Sequence, residues 1–210
     1  MIIFDLDGTL WDSSSSVAES WNYVISEITG KDRGLTGSDV EKVMGLTMDD
    51  IADALLHDIE PEMRYEIFRQ CEEHENEYLK ERGGLLFPGV RETVIELYKA
   101  GKNLAIVSNC QKGYINAFLI SMGMTEYFRD FEEWGNTGRP KGENIRLVMD
   151  RNGVSKAVYV GDIQSDADAA SYAGIPFIWA KYGFGNVKKP DAAINSMYEL
   201  PGTLRELGYL

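Results

Sequence analysis

The chain has 210 residues, 44% hydrophobic and 26% charged, the ordinary composition of one large globular domain or a domain with an insertion. Its net charge is −13, with no cluster of Lys or Arg, which argues against duplex nucleic acid or an anionic membrane as a partner. The first predicted element is a short buried strand over residues 2–6, β-branched and aromatic, ended by Asp5 and Asp7. Ser13–Ser16 offers helix caps. Val17, Trp21, Val24, Ile25 and Ile28 then recur at helical spacing until Gly30 closes the helix. Short helical pieces follow at 39–44 and 48–56. Pro61 opens a long amphipathic helix over 62–82, and Gly83-Gly84 and Pro88-Gly89 punctuate the chain. From 13 to 86 there are 17 acidic and 7 basic residues, so −10 of the −13 lies on this stretch, read as a solvated helical surface.

The pattern then changes. A helix is predicted over 90–100, a buried strand over 103–107, a helix over 112–122 and a weaker strand over 127–134. After these come a helix over 143–152, a strand over 157–161, a helix over 166–173 and a strand over 175–180. A last helix spans 196–207, interrupted by Pro201-Gly202. Alternating strands and helices predict an α/β fold with a parallel sheet covered on both faces. The helical stretch of some seventy residues after the first strand is too long for a loop and reads as an inserted subdomain.

In open α/β sheets, ligands bind beyond the carboxyl ends of the strands. The polar residues there are Asp5 and Asp7, then Ser108 and Asn109, then Asp162, Ser165, Asp166 and Asp168. "GNTGRPKGEN", with Arg139 and Lys141, follows the remaining strand. Several carboxylates cannot share one rim as bare charges, and a divalent cation resolves the repulsion. All-oxygen ligands select a hard ion, Mg²⁺ first. A lone cation and hydroxyl or amide donors suit a phosphate group. One carboxylate can attack phosphorus and a second can move a proton. An EF-hand is excluded, because Gly8 comes too early, Ser16 stands where the bidentate Glu belongs, and a strand precedes the acids. Trp11 is placed to help close a pocket, and Gly45–Thr47 to face the site from the insertion. His57 and His74 read as surface residues, and Cys71 and Cys110 as buried thiols.

"FDLDGTL", "VSNC", the following Lys141 and "VGDIQSDADAA" resemble, in order, the four motifs of haloacid dehalogenase superfamily phosphatases, nearest the phosphoglycolate-phosphatase-like branch. The resemblance spans the chain. It implies a Rossmann-like parallel sheet core at 1–14 and 84–210, with an α-helical cap at 15–83. It implies Asp5 as nucleophile and Asp7 as general acid/base, with the Asp7 backbone carbonyl on Mg²⁺. Ser108 and Asn109 belong to the second motif, with Ser108 as phosphate donor. Lys141 is the phosphate-holding cation of the third motif, with Arg139-Pro140 as the competing alignment. Asp162 is a metal ligand, and Asp166 a ligand or the acid behind it. The expected activity is a cytoplasmic, monomeric, Mg²⁺-dependent phosphatase acting on a small phosphorylated metabolite. A phosphomutase or pyrophosphatase on the same core, or a phosphorylatable receiver-like domain, are the rival readings.

Overall fold

The computed structural model describes residues 1–210, the side chain of Met48 excepted. The chain starts on β1 (Ile2–Phe4) and turns through β2 (Trp11–Asp12). It then enters four helices: α1 (Ser14–Thr29), α2 (Gly37–Glu41), α3 (Met48–Leu55) and α4 (Pro61–Arg82). It leaves them on β3 (Leu85–Leu86), which pairs antiparallel with β2, so the incoming and outgoing segments run side by side. The predicted stop of α1 and start of α4 rest on the expected chemistry, whereas Ser13 makes no side-chain cap at the start of α1: its hydroxyl goes to Asp7, and Asp12 Oδ1 accepts the Ser14 N–H at 2.9 Å. Gly30 takes a left-handed φ of 70° at the end of α1. Pro61 sits in the first turn of α4, where its missing N–H costs nothing.

Beyond β3 the chain alternates. It runs through α5 (Val90–Lys99), β4 (Leu104–Ser108), α6 (Tyr114–Ser121), β5 (Asp130–Glu133), α7 (Trp134–Thr137), α8 (Lys141–Arg151), β6 (Val158–Gly161), α9 (Gln164–Ala173), β7 (Phe177–Ala180), β8 (Ala192–Ile194) and α10 (Leu200–Glu206). The six strands β5-β4-β1-β6-β7-β8 form one sheet in which every pairing is parallel. In chain order this is the doubly wound arrangement that reverses direction at the first strand. The carboxyl end of β1, flanked by β4 and β6, therefore opens a crevice.

The strand period of two sends alternate residues to opposite layers. Ile2 and Phe4 pack with Leu104, Ile106, Val158 and Val160 on the face covered by α5, α6 and α10. Ile3 packs with Ala105, Val107 and Tyr159 on the face covered by α8 and α9. Each of these fully buried Val, Leu, Ile and Phe side chains contributes about 1.5–3 kcal/mol. The first of these layers runs on without interruption into the helical insertion, through Val17, Trp21, Ile25, Ile67 and Phe68.

Three sequence readings are corrected. Trp11 closes no pocket: it is fully buried and packs edge-on against Tyr114 and Phe118. The last helix is not interrupted at Pro201-Gly202, because α10 begins at Leu200 and Pro201 lies in its first turn, where proline is tolerated. β8 and the β2–β3 ribbon were not anticipated. No helix among the described residues is long and apolar enough to cross a membrane.

Candidate active site

Two strand ends and one helix start deliver the acids to one point. Asp5 follows β1 directly, Asp162 follows β6, and Asp166 lies in the first turn of α9. All three are buried, and one carboxylate oxygen from each lies within 4.8 Å of the others. The Asp166 carboxylate has a structural duty too: its Oδ2 accepts the backbone N–H groups of Asp162 (3.1 Å) and Ile163 (3.2 Å), filling orphan donors at the helix start. The Lys141 ammonium, carried in by the first residue of α8, donates to Asp5 Oδ1 at 2.8 Å and to Asp166 Oδ1 at 2.6 Å. This geometry favours Lys141 over Arg139, which is exposed. Pro140 forces an extended residue, and α8 starts immediately after it, so the lysine stem drops into the crevice.

Gly8 and Gly183 let the backbone close over Asp162. A Cβ on Gly8, which has a φ of 78°, would meet Asp162 Oδ2 at 2.2 Å. One on Gly183 would meet Gly8 O at 2.2 Å. Asp162 Oδ2 accepts the Phe184 N–H at 2.7 Å, and the Trp179 indole donates to the Asp162 carbonyl at 3.1 Å.

One ammonium faces three clustered carboxylates, and the electrostatics follow. Burial, then the Asp166 carboxylate, push Asp5 up to about 7 against the pull of Lys141. Burial, then Asp166 and Asp5, push Asp162 up to about 8. For Lys141, burial pulls its proton affinity down, and the Asp166 and Asp5 carboxylates outweigh that and hold it above the usual lysine range. An all-oxygen, carboxylate-rich cluster short of positive charge fits a hard divalent cation such as Mg²⁺.

The Asp7 carboxylate is not part of that cluster. Its Oδ1 accepts the Ser13 hydroxyl at 2.8 Å and the Tyr114 hydroxyl at 2.9 Å. Burial pushes it up to about 6, opposed by those two hydrogen bonds. Asp5 Oδ1 is also reached by the Tyr159 hydroxyl at 3.5 Å, and Oδ2 accepts no hydrogen bond among the described residues.

The acids open into a cavity of about 300 Å³ between the sheet edge and the helical insertion. Ser108, at the end of β4, lines it. Asn109 turns its amide toward the insertion and donates to the Gly45 carbonyl at 3.3 Å. Of the Gly45–Thr47 stretch read as facing the site, Gly45 and Leu46 line the cavity, and Thr47 instead caps α3. Ser165 and Asp168 are exposed; Asp168 accepts from Gln164 on the outer surface of α9. His57 is exposed, whereas His74 is half-buried against the Ser20 hydroxyl. Cys71 is buried, and Cys110 is half-buried beside the cavity.

Tyr114, Tyr159, Gln111 and Glu75 were not singled out in the sequence. Glu75 is the most unusual: a carboxyl on the buried face of α4, 2% exposed, receiving hydrogen bonds from the Trp21 indole and from Gln111 at 2.9 Å. Its signal was present, since it continues the apolar stripe Ile67, Phe68, Cys71, Leu79 at helical spacing.

Burial, more than any neighbour, pushes Glu75 up to about 8 from 4.5. The folded state therefore holds this proton across a window where the unfolded state has released it. The stability from this group is complete below about 4.5 and is lost as pH rises toward about 8. Glu75→Gln copies the neutral acid, with the Gln111 amide turned over to accept its N–H. The variant is expected to gain a few kcal/mol on the native chain between pH 5 and 9. Denaturant unfolding at both pH values measures this; parallel curves would mean that Glu75 is ionised in the fold.

Comparison with known proteins places the chain in a family. The family model described as haloacid dehalogenase-like hydrolase matches residues 2–180. The chain is 30% identical to a phosphoglycolate phosphatase of Pseudomonas savastanoi pv. phaseolicola, over 97% of this chain and 79% of that one. It is 29% identical to a phosphoglycolate phosphatase of Salmonella typhi, over 95% and 90%. The solved structure of CbbY from Rhodobacter sphaeroides in complex with phosphate shares the fold, with a TM-score of 0.77 at 23% identity over 95% of each chain.

Proposed function

The chain belongs to the haloacid dehalogenase-like hydrolase family and is a phosphatase-type hydrolase, and we propose that it cleaves a small phosphate monoester, with Mg²⁺, through an aspartyl-phosphate on Asp5. The observation that carries this reading is Lys141 held between Asp5 and Asp166, beside Asp162, at the floor of a cavity of about 300 Å³. A cavity of that size suits a small ester.

Asp5, Asp162 and the backbone carbonyl of Asp7 would hold the cation, with Asp166 behind them. Bound there, the cation supplies the missing positive charge and polarises the phosphoryl oxygens. Lys141 fixes Asp5 Oδ1 and leaves Oδ2 to attack phosphorus. As the Oδ2–P bond forms, the ester P–O bond breaks and the leaving oxygen takes a proton from Asp7. Asp7 then accepts a proton from water, whose oxygen attacks phosphorus, breaks the Asp5–P bond and releases phosphate. A carboxyl at about 6 suits both duties near neutrality, and Ser13 and Tyr114 aim it.

The helical insertion, taken as a cap at 15–83 over a core at 1–14 and 84–210, supplies the lid. It is tied to the core by Asn109 to Gly45, by Gln111 to Glu75 and by the Asn76 amide to the Lys112 carbonyl at 2.9 Å. These contacts cover the acids and keep water away during transfer. The reading is tested with a generic aryl phosphate. Phosphate release is expected with Mg²⁺, to vanish on chelation and to return when Mg²⁺ is restored; release that survives chelation would remove the metal from the account.

A further inference from the structure

The cavity has two unlike walls. On the sheet side stand the acids, Ser108 and Lys141. On the side of the insertion the buried lining is largely apolar, with Val17, Trp21, Val40, Val43 and Ile51 beside the half-buried Met44, and the exposed Glu41 and Lys42 stand at its rim. Into that wall the insertion places one buried acid, Glu75, and no buried cation among the described residues. Lys42 reaches the cavity rim, but its side chain is 69% exposed and pairs with Asp39 at 3.0 Å. Lys141 is engaged by Asp5 and Asp166.

A substrate whose phosphate sits at Asp5 must direct the rest of its skeleton toward that wall. A second anionic group there would be desolvated against aliphatic side chains and Glu75, with no buried Lys or Arg among the described residues to receive it, and the exposed Lys42 at the rim is paired with Asp39. Sites that recognise carboxylate or a second phosphate supply such a cation. Building on the proposed phosphatase activity, we propose that the alcohol part of the substrate is uncharged: a monophosphate ester whose carbon skeleton lies on Val43, Met44 and Ile51, with a hydroxyl within reach of Glu75. This sets the chain apart from the phosphoglycolate phosphatases it resembles, whose named substrate carries a carboxylate. Glu75, pushed up to about 8 by burial, is a hydrogen-bonding acid at neutral pH and not a counter-ion, which favours a hydroxyl over an amine.

Three esters of equal chain length separate the cases: 2-hydroxyethyl phosphate, phosphoglycolate and 2-aminoethyl phosphate, with p-nitrophenyl phosphate as reference. With Mg²⁺ at pH 7, kcat/KM is expected to favour hydroxyethyl phosphate by at least about tenfold over each charged ester. Met44→Lys, which adds a cation to the apolar wall, should raise the phosphoglycolate-to-hydroxyethyl ratio by about tenfold. Phosphoglycolate or the amine turned over as well as the neutral ester would overturn this substrate class while leaving the phosphatase reading intact. An unchanged ratio in Met44→Lys would also overturn it. Loss of all turnover, the aryl phosphate included, would instead bring down the phosphatase reading itself.

Discussion

Asp5→Asn abolishes phosphate release, by about 10³-fold or more, and leaves the fold intact. The substitution keeps size and shape. It exchanges the attacking oxygen lone pairs for an amide, and no other carboxylate is placed to take over. Asp162 lies under Gly8, with its Oδ2 held by the Phe184 N–H; Asp166 is held by Lys141 and two backbone donors; Asp7 points to Ser13 and Tyr114. The same change relieves a cost to stability. A group pushed up to about 7 is costly to keep charged in the fold, so an uncharged residue at this position removes a repulsion with Asp166. The variant is expected to melt at or above the temperature of the native chain at pH 8. Loss of activity with unchanged or raised Tm is the signature of a nucleophile held at a cost in stability. Residual turnover within tenfold of the native chain would move the nucleophile elsewhere.

Lys141→Met produces the second large effect, in activity and stability together. The side chain of this lysine is 5% exposed, and among the described residues it is the one ammonium bonded to the carboxylate cluster. Removing one partner from a buried ionic group costs about 3–5 kcal/mol. The loss should shrink at low pH, where the carboxylates take up protons, and should be partly recovered with Mg²⁺, which supplies the same charge. Denaturant unfolding at pH 6 and 8, with and without Mg²⁺, resolves both dependences. A loss of stability indifferent to pH and metal would mean that Lys141 acts by packing alone. Activity is expected to fall by at least about 10²-fold even in the folded variant, because Asp5 loses the donor that fixes it.

The two variants rest on residues that were legible in different ways. Asp5, Asp162 and Asp166 could be collected from the sequence because each follows a short apolar run, and parallel strands bring their carboxyl ends to one edge. Lys141 against Arg139 could not be decided by spacing alone. What decides it is where α8 begins, and that depends on Pro140. Nothing marks Tyr159 in the sequence, because its strand is apolar on both sides. Its hydroxyl had to find a partner once buried, and it donates to the Val107 carbonyl at 2.7 Å. Tyr114 was hidden for another reason: its role depends on α6 meeting the Asp7 turn, a contact between residues 107 positions apart.

The elements follow the same division. Long periodic stretches such as α1 and α4 carry their own boundaries, through Gly30 and Pro61. β2 and β3 have two residues each and no pattern to read, and they exist because the two crossing segments lie side by side. β8 has three residues and is held by β7 at the sheet edge. Trp11 shows how a plausible site residue becomes core. It is near the acids in sequence, yet the turn after Asp7 carries its ring under Phe118.

The covalent intermediate on Asp5 is the claim on which the rest depends. The direct measurement is acid quench during turnover of a substrate carrying radiolabelled phosphate, followed by digestion and peptide mapping. The expected result is label on the peptide that contains Asp5, present in the native protein with Mg²⁺ and absent from Asp5→Asn. Phosphate released at full rate with no label on the protein at any quench time, or label on a peptide without Asp5, would contradict it.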